Sequence, residues 1–407
     1  MGQEGPLAGI TVVALEQAVS APMCTRTLGD FGARVIKVEN PRGGDFARHY
    51  DDVVGGLAAH FVWANRGKES VALDLKTPAG IDVLHRLLDR ADALVSNLVP
   101  GAMAKLGLSA RDLAAGHPDL IAVDIDGYGS GGPLSHKRAY DLLVQAESGA
   151  CSVTGSPGHP AKPGPPVADV CSGLYAALSV TALLYAKGLG GPGRVDRAAP
   201  ASVPASVSVS LFDTMAELMG YPLTYTRHSG VEQQPLGMSS PAVSPYGAYP
   251  TADGQTVVLG TTNDREWDRL ARELLGRPDL ADDDRFRTNA GRVEHRDVLD
   301  AEIAAWCARH GLADVQDRAD AAGIGNARYN TPSEVLVHPQ LAARDRWREI
   351  DTPAGPVPAL LPPPVIDGYD PPMGAVPALG QHTNAVLAEL GLSEREIAAL
   401  RERGAVG

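Results

Sequence analysis

The run Ile10-Thr11-Val12-Val13-Ala14-Leu15, the segment Pro22 to Gly32 and the run Val35-Ile36-Lys37-Val38 decide the architecture. The outer two are short apolar runs of the kind that form buried strands. The segment between them has Pro near its start and Gly at its end, the asymmetry of a helix. A strand, helix, strand unit builds parallel sheets. The pattern continues with strands expected over 71–75, 93–96 and 120–125 and helices over 78–90 and 109–115. The fold class that follows is α/β, with an open, Rossmann-like parallel sheet. Such sheets bind ligands beyond the carboxyl ends of their strands, which directs attention to the loops Glu16 to Ala21, Glu39 to Asp45, Asn97 to Gly101 and Asp126 to Pro133. No Gly-x-Gly-x-x-Gly follows the first strand and no phosphate loop ending in Gly-Lys-Ser/Thr occurs, so dinucleotide and nucleoside-triphosphate fingerprints are absent. The glycine cluster 127–132 reads as a turn.

The chain has 407 residues, long for one core, and its 44% hydrophobic and 21% charged composition is that of a globular protein. With 36 basic against 49 acidic residues the net charge is -13, which argues against nucleic acid as a partner. Cys24, Cys151, Cys171 and Cys307 lie too far apart for a metal-ligand pattern, and no His-Glu-x-x-His pair occurs, so no metal is expected and a reduced cytoplasm fits best. Met1 to Leu7 has no secretory character and no run is long enough to span a bilayer, so no membrane association is expected.

Residues 1–200 are expected to form the large domain. A linker and crossing over 201–250 follow, with a stretch rich in Ala, Pro and Ser near 198–206 and an extended passage over 220–250. Residues 251–335 make a small α+β domain, and 336–407 return through proline-rich chain to C-terminal helices that complete the large domain.

One acidic residue stands apart. In Pro165-Pro166-Val167-Ala168-Asp169-Val170-Cys171-Ser172-Gly173, Asp169 is the only acidic side chain between Glu147 and Asp196, and it opens a helix whose apolar residues recur at Leu174, Ala177, Leu178, Thr181, Leu184 and Tyr185. A carboxylate there either caps the helix by accepting from its free N–H groups, or serves as a nucleophile. Arg42, Arg66, Lys68, Lys76, Lys105, Lys137 and Arg138 lie on or near strand-end loops and would suit a polyanionic ligand such as nucleotide phosphates.

Several ordered motifs carry a family resemblance: Gly32 to Pro41 (GARVIKVENP), Asn65-Arg66-Gly67-Lys68 with Leu73 to Pro78, Asn97-Leu98-Val99-Pro100-Gly101, Ala139 to Ala146, Ala168-Asp169, Ser210-Leu211-Phe212-Asp213 and Leu379-Gly380-Gln381-His382-Thr383. As a set they resemble the class III CoA-transferases, the family of formyl-CoA:oxalate transferase, carnitine CoA-transferase and α-methylacyl-CoA racemase. The resemblance implies that Asp169 is the nucleophile and that coenzyme A, as substrate rather than resident cofactor, is held by Ala18, Val19, Leu73, Lys76, Asn97, Leu98, Lys105 and Arg138. Gln17, Tyr140 and Asp141 are implied at the substrate. Asn40 and Val99 depart from the family pattern at CoA contacts.

The resemblance further implies an interlocked homodimer of ring-shaped chains. The implied reaction moves CoA from an acyl-CoA donor to a small carboxylic acid through aspartyl anhydride and aspartyl-CoA thioester intermediates, with amides at the helix start as candidate oxyanion donors. Residues 145–149, 153–155 and 217–223 look like the subgroup handling small dicarboxylates, such as succinyl-CoA with mesaconate, citramalate or itaconate. Racemases of the family carry His-Asp where this chain has Tyr140-Asp141, and a phenol, with a reference pKa of about 10, is a poor base at neutral pH. Racemisation is therefore the alternative, and a CoA-binding protein without turnover the alternative of another class.

Overall fold

A computed structural model describes residues 5–188 and 206–407. The Ala, Pro and Ser stretch near 198–206 and the start of the chain therefore lie almost wholly outside the described residues. Contacts divide the described chain into two compact units, one built from 5–149, 163–188, 206–220 and 344–407, the other from 150–162 and 221–343. The larger unit reaches to residue 220, beyond the boundary expected at 200, because the segment 206–210 joins its sheet.

In the larger unit, β1 (Thr11–Leu15), β2 (Arg34–Glu39), β3 (Glu69–Ala72), β4 (Ala93–Ser96), β5 (Ile121–Asp126) and β6 (Ser206–Ser210) form one parallel sheet in the order β3-β2-β1-β4-β5-β6. Val12 lies beside Val35 on one side and Ala93 on the other, which fixes the register of the central strand. The central strands β1 and β4 read as continuous apolar runs because both faces of the sheet are covered there. On one face Val13, Ile36, Val71 and Leu94 pack with α2 (Pro78–Leu88) and with the C-terminal helices Thr383–Glu389 and Glu394–Glu402. The last of these opens with a capping box of Ser393 and Glu396.

The other face carries α1 (Ser20–Asp30) and the helix of Asp169, Val167–Ala186, which is labelled α4 below. α3 (Asp141–Glu147) lies between them in sequence, and α5 (Leu211–Leu218) follows β6. The apolar stripe expected on α4 divides. Its buried positions are Ala168, Ser172, Gly173, Ala176, Ala177, Val180 and Leu184, whereas Leu174 and Leu178 are 46% and 64% exposed. Small residues win the buried face because α1 comes very close: a Cβ on Gly173 would sit 2.4 Å from the Ser20 carbonyl oxygen and 3.1 Å from the Cys24 nitrogen. By length and composition α4, with a mean hydropathy of 1.7, passes for a membrane span, contrary to the sequence expectation; in the fold its small-residue face is packed against α1.

The smaller unit holds β7 (Tyr246–Pro250), β8 (Thr256–Gly260) and β9 (Gly325–Arg328) in an antiparallel sheet of order β9-β8-β7, over a core that includes Trp267, Phe286 and Trp306. The expected extended passage from Gly220 is corrected: Gly220–Ser229 is helical.

Candidate active site

In a sheet of order 3-2-1-4-5-6 the winding reverses between β1 and β4, and the crevice at that reversal is where such folds take ligands. Here the two loops at the crevice are stitched together. Gln17 N donates to Asn97 Oδ1 at 2.8 Å, while Asn97 Nδ2 donates to the Gln17 carbonyl at 2.8 Å and to Ser20 Oγ at 2.9 Å. The Ala18 N–H donates to Asp45 Oδ1 at 3.0 Å, and Ala18 has a φ of 60°, left-handed backbone that a Cβ disfavours. A non-glycine residue stays there only when its surroundings over-determine it.

The surroundings are buried charges. Asp45 Oδ2 and Glu16 Oε1 accept from Lys37 Nζ at 2.8 and 3.1 Å, and Lys68 Nζ donates to Glu16 Oε1 at 2.7 Å. Glu39 takes both arms of Arg48 at 2.8 Å and the Ser70 hydroxyl at 2.6 Å. Burial opposes the charge on Glu39, but Arg48 and Lys37 outweigh it and hold the carboxyl at about 2. Buried polar groups survive only when paired in this way, and the pairing fixes the loop that carries Gln17, Ala18 and Val19. Two expected phosphate ligands are thereby corrected. Lys68 is buried in this cluster, and Arg66, 4% exposed, is engaged with Asp30, so both point inward to carboxylates.

Beyond the strand ends opens a cavity of about 510 Å³. Gln17, Ala18, Val19, Asn97, Leu98, Arg138, Tyr140, Asp141 and Asp169 all line it, so nine of the residues singled out in sequence meet around one space. A neighbouring cavity of about 270 Å³ shares Gln17 and Leu98 and adds Asn40, Leu73 and Lys76. Arg42 Nη2 donates at 2.6 Å to Asp74, whose residue lines this second cavity. Lys105 departs from expectation: it is exposed at the end of the short helix Ala102–Lys105 and lines neither cavity.

Phe46, Tyr50 and His60 complete one wall of the larger cavity. Nothing in the sequence singled them out, because they stand in a short 3-10 turn and at the start of a seven-residue helix without apolar periodicity. Tyr50 and His60 meet edge to face, with ring centroids 5.6 Å apart.

Asp169 is the third residue of α4, yet it does not cap that helix. The cap is Asp141, the first residue of α3: its Oδ1 accepts from Ala168 N at 2.9 Å and from Asp169 N at 3.4 Å. This overturns the capping reading of Asp169 and also removes those two amides as oxyanion donors. Among the described residues nothing donates a hydrogen bond to the Asp169 carboxylate. Burial and the neighbouring Asp141 charge push it up to about 7. An unpaired carboxyl with a raised pKa, facing a cavity large enough for an acyl group, is equipped to attack an electrophile.

The model of CoA-transferase family III matches residues 7–383. A succinate–glutarate CoA-transferase of Agrobacterium fabrum is 34% identical, the alignment covering 96% of this chain and 97% of that protein. A succinyl-CoA–D-citramalate CoA-transferase of Chloroflexus aurantiacus is 31% identical, over 98% of this chain and 97% of that protein. Among solved structures, a CAIB/BAIF family protein from Brucella suis aligns with a TM-score of 0.78 at 32% identity, covering 95% of this chain and 100% of the other.

Proposed function

The chain belongs to CoA-transferase family III, and from that premise we propose that it moves CoA from succinyl-CoA to a small dicarboxylic acid, with Asp169 as nucleophile. The relatives named for glutarate and D-citramalate support the substrate class, and the unpaired Asp169 carboxylate at the cavity wall is the observation that carries the mechanism.

The steps follow from that geometry. A carboxylate oxygen of Asp169 attacks the thioester carbonyl, the carbon–sulfur bond breaks and the CoA thiolate leaves with the electron pair, giving an acyl-aspartyl anhydride. The thiolate then attacks the Asp169 carbonyl and expels succinate, leaving an aspartyl-CoA thioester. The acceptor carboxylate repeats the exchange in reverse. No proton need move, because each nucleophile and each leaving group is an anion. In this reading Ala18, Val19, Asn97 and Leu98 hold the thioester arm. The smaller cavity at Leu73 and Lys76 takes the nucleotide end, with Lys76 and the neighbouring Arg42 near its phosphates, Arg138 lines the larger cavity along the thioester arm, and Gln17 and Tyr140 face the acyl group. Lys105, outside both cavities, is left as a distal phosphate contact.

Two copies pairing as an interlocked dimer belong to the same proposal. Exposed Leu142, Leu143, Leu174, Tyr175 and Leu178 on α3 and α4 are the apolar surface such a pairing would cover. The four unpaired cysteines suit a reduced cytoplasm.

Incubation with succinyl-CoA and hydroxylamine, followed by peptide mass spectrometry, is expected to place a hydroxamate on Asp169 of the wild type and none on Asp169→Asn. Absence of the adduct from the wild type, with succinyl-CoA and with other acyl-CoA donors, would overturn the mechanism.

A further inference from the structure

Two carboxylates stand at the start of α4 with opposite fortunes. Both oxygens of Asp141 are used: Oδ1 accepts the Ala168 and Asp169 amides, and Oδ2 accepts from Gln145 Nε2 at 2.6 Å. Gln145 lies one turn further along α3 and is fully buried, so the Asp141 carboxylate is fixed from behind as well as in front. The remaining early amide of α4, Val167 N, donates to the Pro165 carbonyl at 2.9 Å. The start of α4 therefore has no amide left for Asp169.

We propose that Asp141 is a positioning residue: by occupying the amides at the start of α4 and fixing a negative charge beside Asp169, it keeps the Asp169 carboxylate unsolvated by the protein and reactive toward the thioester. The inference rests on Asp169 being the nucleophile. Its chemistry is electrostatic. When an Asp169 oxygen bonds to the thioester carbon, its charge passes to the carbonyl oxygen and then leaves with the sulfur, so the repulsion from Asp141 present in the resting state is relieved along the reaction. A carboxylate capping a helix would instead have to give up hydrogen bonds to react. The other titratable or charged groups around the same cavity are Tyr50 and His60 from the first wall, Asp126 at the end of β5, and Lys137, Arg138 and Tyr140 before α3. Lys137 is already paired with Glu147 at 2.9 Å, and Cys171 follows Asp169 on its own helix.

Asp141→Asn tests this, because the amide oxygen still caps α4 while the charge is gone. The acid limb of the kcat/KM profile is expected to move down by about one pH unit, the lower end of the shift that a neighbouring charge produces. The plateau kcat is expected to fall several-fold, with KM for acyl-CoA nearly unchanged. A 13C NMR titration of Asp169 in the ligand-free protein, assigned by difference from Asp169→Asn, is expected to show the same shift. Asp141→Ser, another uncharged cap, gives the same reading if the asparagine variant does not fold. A profile and a titration that stay at their wild-type positions would overturn the proposal, whatever the activity, and would leave Asp141 a structural cap. Failure of the nucleophile reading is distinguished by the missing hydroxamate in the wild type, since the NMR titration reads the Asp141 effect without turnover.

Discussion

At the scale of single residues, Asp169, as the proposed nucleophile, must be ionised to attack, and its carboxyl is raised to about 7 by burial and by Asp141. Transferase activity is therefore expected to rise with pH through about 7 rather than through the ordinary carboxylate range, as kcat/KM measured from pH 5 to 9 would show. The same shift has a cost in stability. The folded state holds the Asp169 proton more tightly than the unfolded chain, so the group weakens folding progressively as pH rises from about 4 to about 7. Asp169→Asn is expected to match the wild type in urea unfolding near pH 4 and to exceed it by about 1 kcal/mol at pH 8, a figure discounted for the partly exposed side chain. The position of Asp169 at a helix start was legible in the sequence, because an isolated carboxylate before a long apolar run is a visible pattern. Its freedom from capping was not, since the residue that takes its place, Asp141, is 28 positions away.

At the scale of elements, α1 and α4 depend on each other through Gly173. Gly173→Ala would press a Cβ against the backbone of α1, which cannot yield as a flexible side chain could. The expected loss is about 1–3 kcal/mol of stability in denaturant titration. It comes with a fall in kcat of at least about tenfold, because α1 follows directly from the Gln17–Val19 loop and α4 carries Asp169. The parallel strands were readable from the first 125 residues, where apolar runs alternate with helical segments. β6 was harder to place: Ser-Val-Ser-Val-Ser has the alternation of a strand, but its partner β5 is far upstream and only the fold supplies the pairing. The exposure of Leu174 and Leu178 was likewise hidden, since helical periodicity marks an apolar stripe without saying whether small or large side chains face inward.

At the scale of the whole molecule, the apolar surface on α3 and α4 predicts a dimer. Light scattering on a sizing column is expected to give twice the mass of the 42.5 kDa chain, and Leu178→Asp to shift the population toward single chains, with activity falling in step. A single-chain mass for the wild type at working concentration would overturn the pairing. The pocket wall at Tyr50 and His60 was not legible in the sequence, because a short turn and a helix start without apolar periodicity build it. The buried cluster of Glu16, Glu39, Asp45, Lys37, Lys68 and Arg48 contains three charges of each sign, so it cancels and the whole of the net charge of -13 is carried by the other residues. A CoA ester, itself polyanionic, must then approach a protein of its own sign. Attraction is confined to the few cations at the cavity rim and to distances within about 8–10 Å at physiological ionic strength. Capture is consequently a short-range event, governed by collisions at the mouth of the crevice rather than by long-range steering.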